Sequence, residues 1–268
     1  MLLKKAVELN PTNERAVGNL GTNYFLRGEF INALRWQKKA AGLNPKNAIP
    51  FQIIGWTYRL LGDIDQATAW LEKSLELGAH WDTYELLGYC YVLKGNNPKA
   101  LSLIPKVLEL GPDDSRTLET AALIAHFAGD TQSAKKYFQL SIDKNVSYKT
   151  DPNTVSPISI GQILLDEGNK IDSEVYFAHA MEINLHEIER GSQDDGPLFN
   201  IAGIYAIRGN TSQAAFWLKK AVEKQWVDYT MVTHGPWFKS IRNDHEILEI
   251  TNGVRSRMDA ILRQEETH

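Results

Sequence analysis

Six glycines divide the chain at a nearly constant interval, and that interval restricts the possible folds more than any other feature. Gly28, Gly62, Gly95, Gly129, Gly168 and Gly209 are 34, 33, 34, 39 and 41 residues apart. A small residue stands seven positions before each of them (Gly21, Gly55, Gly88, Ala122, Gly161 and Ala202) and another five positions after (Ala33, Ala67, Ala100, Ala134, Ser173 and Ala214). A third series follows seven residues later: Ala40, Ser74, Val107, Ser141, Ala180 and Ala221. Large residues keep the register, with Leu20, Ile54, Leu87, Ala121, Ile160 and Ile201 one before the first small position and Tyr24, Tyr58, Tyr91, Ala125, Leu164 and Tyr205 three after it. Offsets of three and four put these side chains on one face of an α-helix. Pro11, Pro45 and Pro112 follow the second helix of a unit, where proline ends one helix and admits the next. Each unit reads as helix, glycine turn, helix. A period of this length is the mark of stacked helix pairs, because one pair cannot bury its own apolar face.

These positions resemble the tetratricopeptide repeat, a helix pair of about 34 residues with small side chains at its eighth, twentieth and twenty-seventh positions and often proline at its thirty-second. The resemblance covers roughly residues 1–226, strongest over 10–110, with units at 14–47, 48–80, 81–114, 115–148, about 154–187 and 195–228. It implies an all-α, right-handed superhelical solenoid of antiparallel helix pairs. Residues 1–13 form a partial first repeat, six repeats complete an array over 1–228, and 229–268 form C-terminal capping helices. Ala79, Val146, Leu185 and Trp226 replace the proline in four units, and Ala121 with Ala125 thin the fourth. The longer intervals place extra loop residues at 145–153 and 190–196, both rich in turn formers.

The segment Gly235-Pro236-Trp237-Phe238, followed by a helix carrying Ile247, Leu248, Ile250, Val254, Met258 and Ile261, resembles the closing segment of repeat arrays in bacterial multidomain proteins. Trp237 and Phe238 are expected to plug the open end of the last helix pair, as a solenoid requires. Leu3, Ala6 and Val7 fall in second-helix register with no first helix before them. This implies a piece of a longer protein, with a possible upstream effector domain in the same chain.

Composition narrows the function classes. Lys and Arg number 29 against 33 Asp and Glu, a net charge of −4, so electrostatic capture of nucleic acid or an anionic membrane is not expected. The apolar runs are too short to cross a bilayer, and the opening residues lack a signal-peptide core. One cysteine, Cys90, cannot close an intrachain disulfide, which fits a reducing, cytoplasmic setting or a chain that needs no staples. No phosphate-binding glycine loop occurs. His179 and His186 share a helical face with Glu182 but want further ligands for zinc, and the carboxylate pairs Asp63/Asp65 and Asp194/Asp195 read as helix caps. No metal, cofactor or catalytic constellation is expected, and the chain reads as a non-enzyme.

The resemblance places ligands on the concave surface, built from the second, fifth, ninth, twelfth and thirteenth positions of each unit. It nominates Phe25, Gln52, Trp56, Arg59, Glu85, Tyr89, Arg116, Glu119, His126 and Phe127, with Gln162 further along. The Lys and Asn that clamp a peptide carboxylate in chaperone-binding relatives are missing: Gly18 and Thr22, Gln52 and Trp56, and Glu85 and Tyr89 stand there. Large rings beside an arginine have the composition of a binding hot spot. They would suit a protein or peptide segment presenting apolar anchors, or else be covered by neighbouring helices. Two functions remain open: a protein-interaction module with a peptide or helical segment in its groove, or a structural spacer or dimerisation scaffold whose groove is filled by its own chain.

Overall fold

The computed structural model describes residues 2–78, 80–145 and 155–266. The described residues are helical and contain no strand. The helix pairs follow the sequence register: α2 (Glu14–Leu26) and α3 (Phe30–Leu43), α4 (Ala48–Leu61) and α5 (Ile64–Glu76), then α6 (Trp81–Leu93). After α6 come α7 (Asn97–Leu101) and α8 (Ile104–Leu110), α9 (Ser115–Phe127) and α10 (Thr131–Lys144), α11 (Ser156–Asp166) and α12 (Lys170–Glu189), and α13 (Gly196–Ile207) and α14 (Thr211–Glu223). A single helix, α1 (Leu2–Leu9), precedes them, and α15 (Tyr229–Thr233) and α16 (His245–Glu266) follow. Most of the loop expected at 145–153, and Ala79, lie outside the described residues.

The chain forms two compact units. One comprises Met1–Asn96 with Ser256–His268, the other Asn97–Arg255, so α16 begins in the second and ends in the first. In the first, α2 packs on α3, α3 on α4, α4 on α5 and α5 on α6; in the second, α8 packs on α9, and each helix from α9 to α14 on the next. The small residues of the register are where these helices meet: Ala33, Ala67, Ala100, Ala134, Ser173 and Ala214 are fully buried.

The six glycines that divide the chain all take positive φ. At Gly62, φ is +88° and the N–H closes the end of α4 on the carbonyls of Tyr58 and Arg59, a left-handed cap in which a Cβ would be strained. Starts are capped as regularly: Asn13, Asn47, Asp63, Asp114, Asp130, Asn169 and Asn210 each accept a backbone N–H of the first turn. The third unit departs from the pattern. Its second helix breaks between Leu101 and Ile104, where Pro105 has no N–H to continue the ladder.

Asp195 stands at the start of α13, and Asp194 accepts the N–H of Gly196 at 3.0 Å. Burial, reinforced by the neighbouring Asp194, pushes the Asp195 carboxyl up to about 6. The folded state therefore holds this proton more tightly than the unfolded chain, and the resulting stability is lost as pH rises toward 6. Asp195→Asn is expected to stabilise the chain at pH 7 by about 1 kcal/mol, discounted for partial exposure, and to change nothing below about pH 3.5. Melting temperatures of both chains across pH 3.5–8 check this; a constant difference would remove Asp195 as its source.

Candidate functional site

The first-helix residues of the first unit separate into two sets. Phe25 of α2 and Trp56 of α4 are partly exposed, their ring centroids 4.9 Å apart and tilted by 55°. Gln52, also partly exposed, lies one turn before Trp56 on the same face of α4. Arg59 and Tyr89 form the other set. They are 5% and 3% exposed, and the guanidinium lies 5.4 Å from the Tyr89 ring centroid. Glu85 is partly buried. The expected aromatic and cationic face is thus half surface and half core.

A third feature of this unit has no local signal in its residues. Lys38 Nζ of α3 donates to Glu265 Oε1 at 2.6 Å and to the Tyr58 hydroxyl at 2.8 Å, and that hydroxyl donates to Glu265 at 3.1 Å. Burial alone would lower the Lys38 ammonium, but the hydrogen bonds to Glu265 and Tyr58 outweigh it and hold it above the ordinary lysine value. The Tyr58 phenol is raised as well, chiefly by burial. These contacts pin the last turn of α16 against α3 and α4. They join residues 227 and 207 positions apart, beyond the reach of any local pattern.

In the second unit the nominated residues do different work. Arg116 is exposed and Phe127 partly buried. Glu119 Oε1 accepts from the N–H groups of Val155 and Ser156 at 3.1 and 3.2 Å and from the Ser156 hydroxyl at 2.7 Å. It is a carboxylate cap on the start of α11. His126 Nε2 lies 3.1 Å from Gln162 Oε1, and burial pushes its imidazole down to about 4. The neutral ring can therefore donate to that oxygen, which leaves the Gln162 amide N–H to donate to Pro236 O at 2.8 Å.

Pro236 belongs to the closing segment, and the rings that follow it reach further than the end of the last helix pair. Trp237 donates its indole N–H to Ser159 Oγ of α11 at 3.2 Å. On α13, Phe199 stacks on Trp226, Trp237 and Phe238 at centroid distances of 5.0, 5.9 and 5.8 Å. A Cβ at Gly203 would lie 2.5 Å from Trp237 Cε3, so the indole fills the space where that side chain would be. Ser240 Oγ donates to Ala206 O at 3.1 Å. Gln162 and Gly203 are the ninth residues of their units and Phe199 the fifth, the positions expected to carry ligands. In this unit the chain's own carboxyl segment covers them. The sequence placed the two rings over the end of α13 and α14; the structure extends Trp237 to α11, because Gly203 lets the indole pass.

Among the described residues no group of three or more His, Cys, Asp or Glu side chains is placed to hold a metal ion, and no helix is long and apolar enough to cross a membrane. Cys90 is buried.

A tetratricopeptide-repeat profile matches residues 51–77, which lie in α4 and α5. No curated protein sequence matches the chain. Among solved structures, a tetratricopeptide repeat protein from Parabacteroides merdae is similar in fold, with TM-score 0.58 and 18% identity over 94% of this chain and 89% of that one. A chain of the APC/C hetero-tetramer Cut9–Hcn1 gives TM-score 0.61 at 15% identity, over 96% of this chain and 45% of its own. Pseudomonas aeruginosa pilF gives 0.54 at 16%, over 90% and 97%. Residues 51–77 thus carry a tetratricopeptide-repeat match, and the array of helix pairs has the fold of these solved repeat proteins.

Proposed function

We propose that the chain is a protein–protein interaction module without catalytic activity, which docks a peptide or helical segment with apolar anchors on the first-helix face of its first unit. The observation that carries this reading is the Phe25 and Trp56 pair, two partly exposed rings in contact across successive first helices with Gln52 beside them. Rigid, partly exposed rings offer apolar area at low ordering cost, and the neighbouring amide can satisfy a backbone group of the ligand. The Cut9–Hcn1 hetero-tetramer, in which a chain of this fold is assembled with others, is consistent with such a role. A larger regulatory protein in a cytoplasmic setting, with 1–228 as array and 229–268 as cap, is the context we assign to it. Arg59 and Tyr89, both buried, support this face from beneath, whereas Arg116 and Glu119 belong to the second unit, Arg116 exposed and Glu119 capping α11.

The second reading, a scaffold whose groove is filled by its own chain, is favoured in the second unit by Trp237 on α11 and α13. The test that separates the two is comparative capture. Wild-type chain and Trp56→Ala, immobilised side by side, are exposed to lysate of the source cells, and retained proteins are identified by mass spectrometry. A partner kept by the first and weakened more than about tenfold on the second supports docking at Trp56. Equal retention of every partner overturns it. Arg59→Glu is unsuitable here, because its burial would confound lost contact with lost stability.

A further inference from the structure

We propose that the first-helix face of α11 and α13 is a receptor site for a tryptophan-bearing turn of a partner protein, and that residues 233–242 of this chain are its tethered internal ligand. The inference deepens the interaction-module reading and rests on it only in taking the partner to be a protein segment.

Four observations carry it. The site is built for an indole rather than merely covered by one. Ser159, fully buried, supplies the acceptor for the ring N–H, Phe199 supplies a stacking face, and Gly203 supplies space that any side chain would take. Next to it, Gln162 donates to the carbonyl of the residue preceding the tryptophan, so the site reads a backbone group and a ring together. The ligand half keeps its own shape: Arg242 donates to Thr233 O at 2.8 Å and to Gly235 O at 2.7 Å, bracing the turn from within. Finally, the chain leaves α14 through Gln225 at φ +74°, the one non-glycine residue with positive φ among those described. Backbone strain of this kind persists where the surrounding structure holds it, here directly before the closing segment.

The occupant that could replace the turn is a partner segment and not a second copy of the chain. Trp226 and Tyr229, between α14 and the turn, are themselves 5% and 8% exposed. An arm exchanged between copies from Trp226 onward would draw both rings out, whereas a partner's turn displaces residues 233–242 alone, with Trp237 and the buried Phe238. A tethered ligand competes at an effective concentration of about millimolar, so the wild-type site is closed to weak ligands and open to a segment that binds well enough to displace it.

The test uses the full chain and a fluorescein-labelled synthetic peptide of residues 230–243, read by anisotropy. Wild-type chain is expected to show no saturation below about 100 μM. Trp237→Ala, which empties the indole space, is expected to bind the peptide at least about tenfold more tightly. A peptide with alanine in place of Trp237 should lose that binding, and so should the chain carrying both Trp237→Ala and Gly203→Leu. A folded Trp237→Ala chain that binds no better than wild type overturns the proposal, as does binding indifferent to Gly203→Leu. If Trp237→Ala does not fold by circular dichroism, Arg242→Ala, which loosens the tethered turn and leaves Ser159, Gln162 and Gly203 in place, takes its place with the same criterion. A wild-type dimer that dissociates on Trp237→Ala would assign the turn to a second copy and overturn occupancy within one chain. Because the Trp56→Ala capture reads the first unit, its failure and the failure of this test are distinguishable.

Discussion

Gly55→Leu is expected to lower the melting temperature of the chain by roughly 10 °C, from a loss of about 3 kcal/mol. Gly55 lies in α4 facing Ala67 and Leu71 of α5. A Cβ there would lie 2.6 Å from Leu71 Cγ, 3.0 Å from Leu71 Cδ2 and 3.1 Å from the carbonyl oxygen of Ala67. Ala67 and Leu71 are fully buried, so neither has free space to move into, and one of the obstructing atoms is backbone. The helices must separate, and the packing of both is weakened together. Gly42 in α3 provides the control. Nothing lies within 4 Å of a Cβ there, and Gly42→Ala should stabilise the chain by about 0.5–1 kcal/mol through helix propensity. Thermal unfolding followed by circular dichroism distinguishes the pair. A Gly55→Leu chain melting within about 2 °C of wild type would mean that the register assigned to the repeat at 48–80 is wrong.

The same contact explains why so much of the fold was legible in the sequence. Gly55, Ala67 and Ser74 are small because α4 and α5 touch there, and the touching points recur with each unit, so periodicity alone located them. The cap at Asp63 was legible for the same local reason, since it acts within three residues of itself. Pro105 was present to be read, but the break it makes in the third unit was masked by the register continuing through Ala100 and Val107. The candidate site was less legible, because a position number says which face a side chain occupies and not what covers that face. Arg59 and Tyr89 took the expected positions and turned out to be core. Glu119 took a groove position and capped the next unit, since the backbone N–H groups at the start of α11 needed an acceptor. Lys38 with Glu265 and Trp237 with Ser159 join residues 227 and 78 apart, and only the folded chain brings them together. Gly203 carried the one available hint. It adds a second small residue beside Ala202 in α13, where the register required only one, and the indole accounts for it.

Phe199→Ala is the substitution that should separate the closing segment from the array. The Phe199 ring, 8% exposed, lies within 6 Å of three others: Trp226 at an interplanar angle of 15°, Phe238 at 24° and Trp237 at 28°. Removing it leaves a cavity bounded by two indoles, with an expected loss of about 3–5 kcal/mol, of which each lost stacking contact accounts for about 0.5–1.5 kcal/mol. Because α13 keeps its contacts with α12 and α14 through residues such as Ile201 and Ala202, both fully buried, the loss should fall first on residues 226–242. Hydrogen exchange should then accelerate there at denaturant concentrations that leave α9 and α10 protected, and tryptophan emission should shift to the red as the indoles meet water. Phe216→Ala on α14, where the ring is 47% exposed, is the matched control and should cost no more than about 0.5 kcal/mol. If Phe199→Ala behaved like that control, the stacked cluster would not hold the closing segment, and the receptor site on α11 and α13 would have lost one of its walls. If exchange accelerated equally through α9 and α10, the segment would be an inseparable part of the core rather than a ligand seated on it.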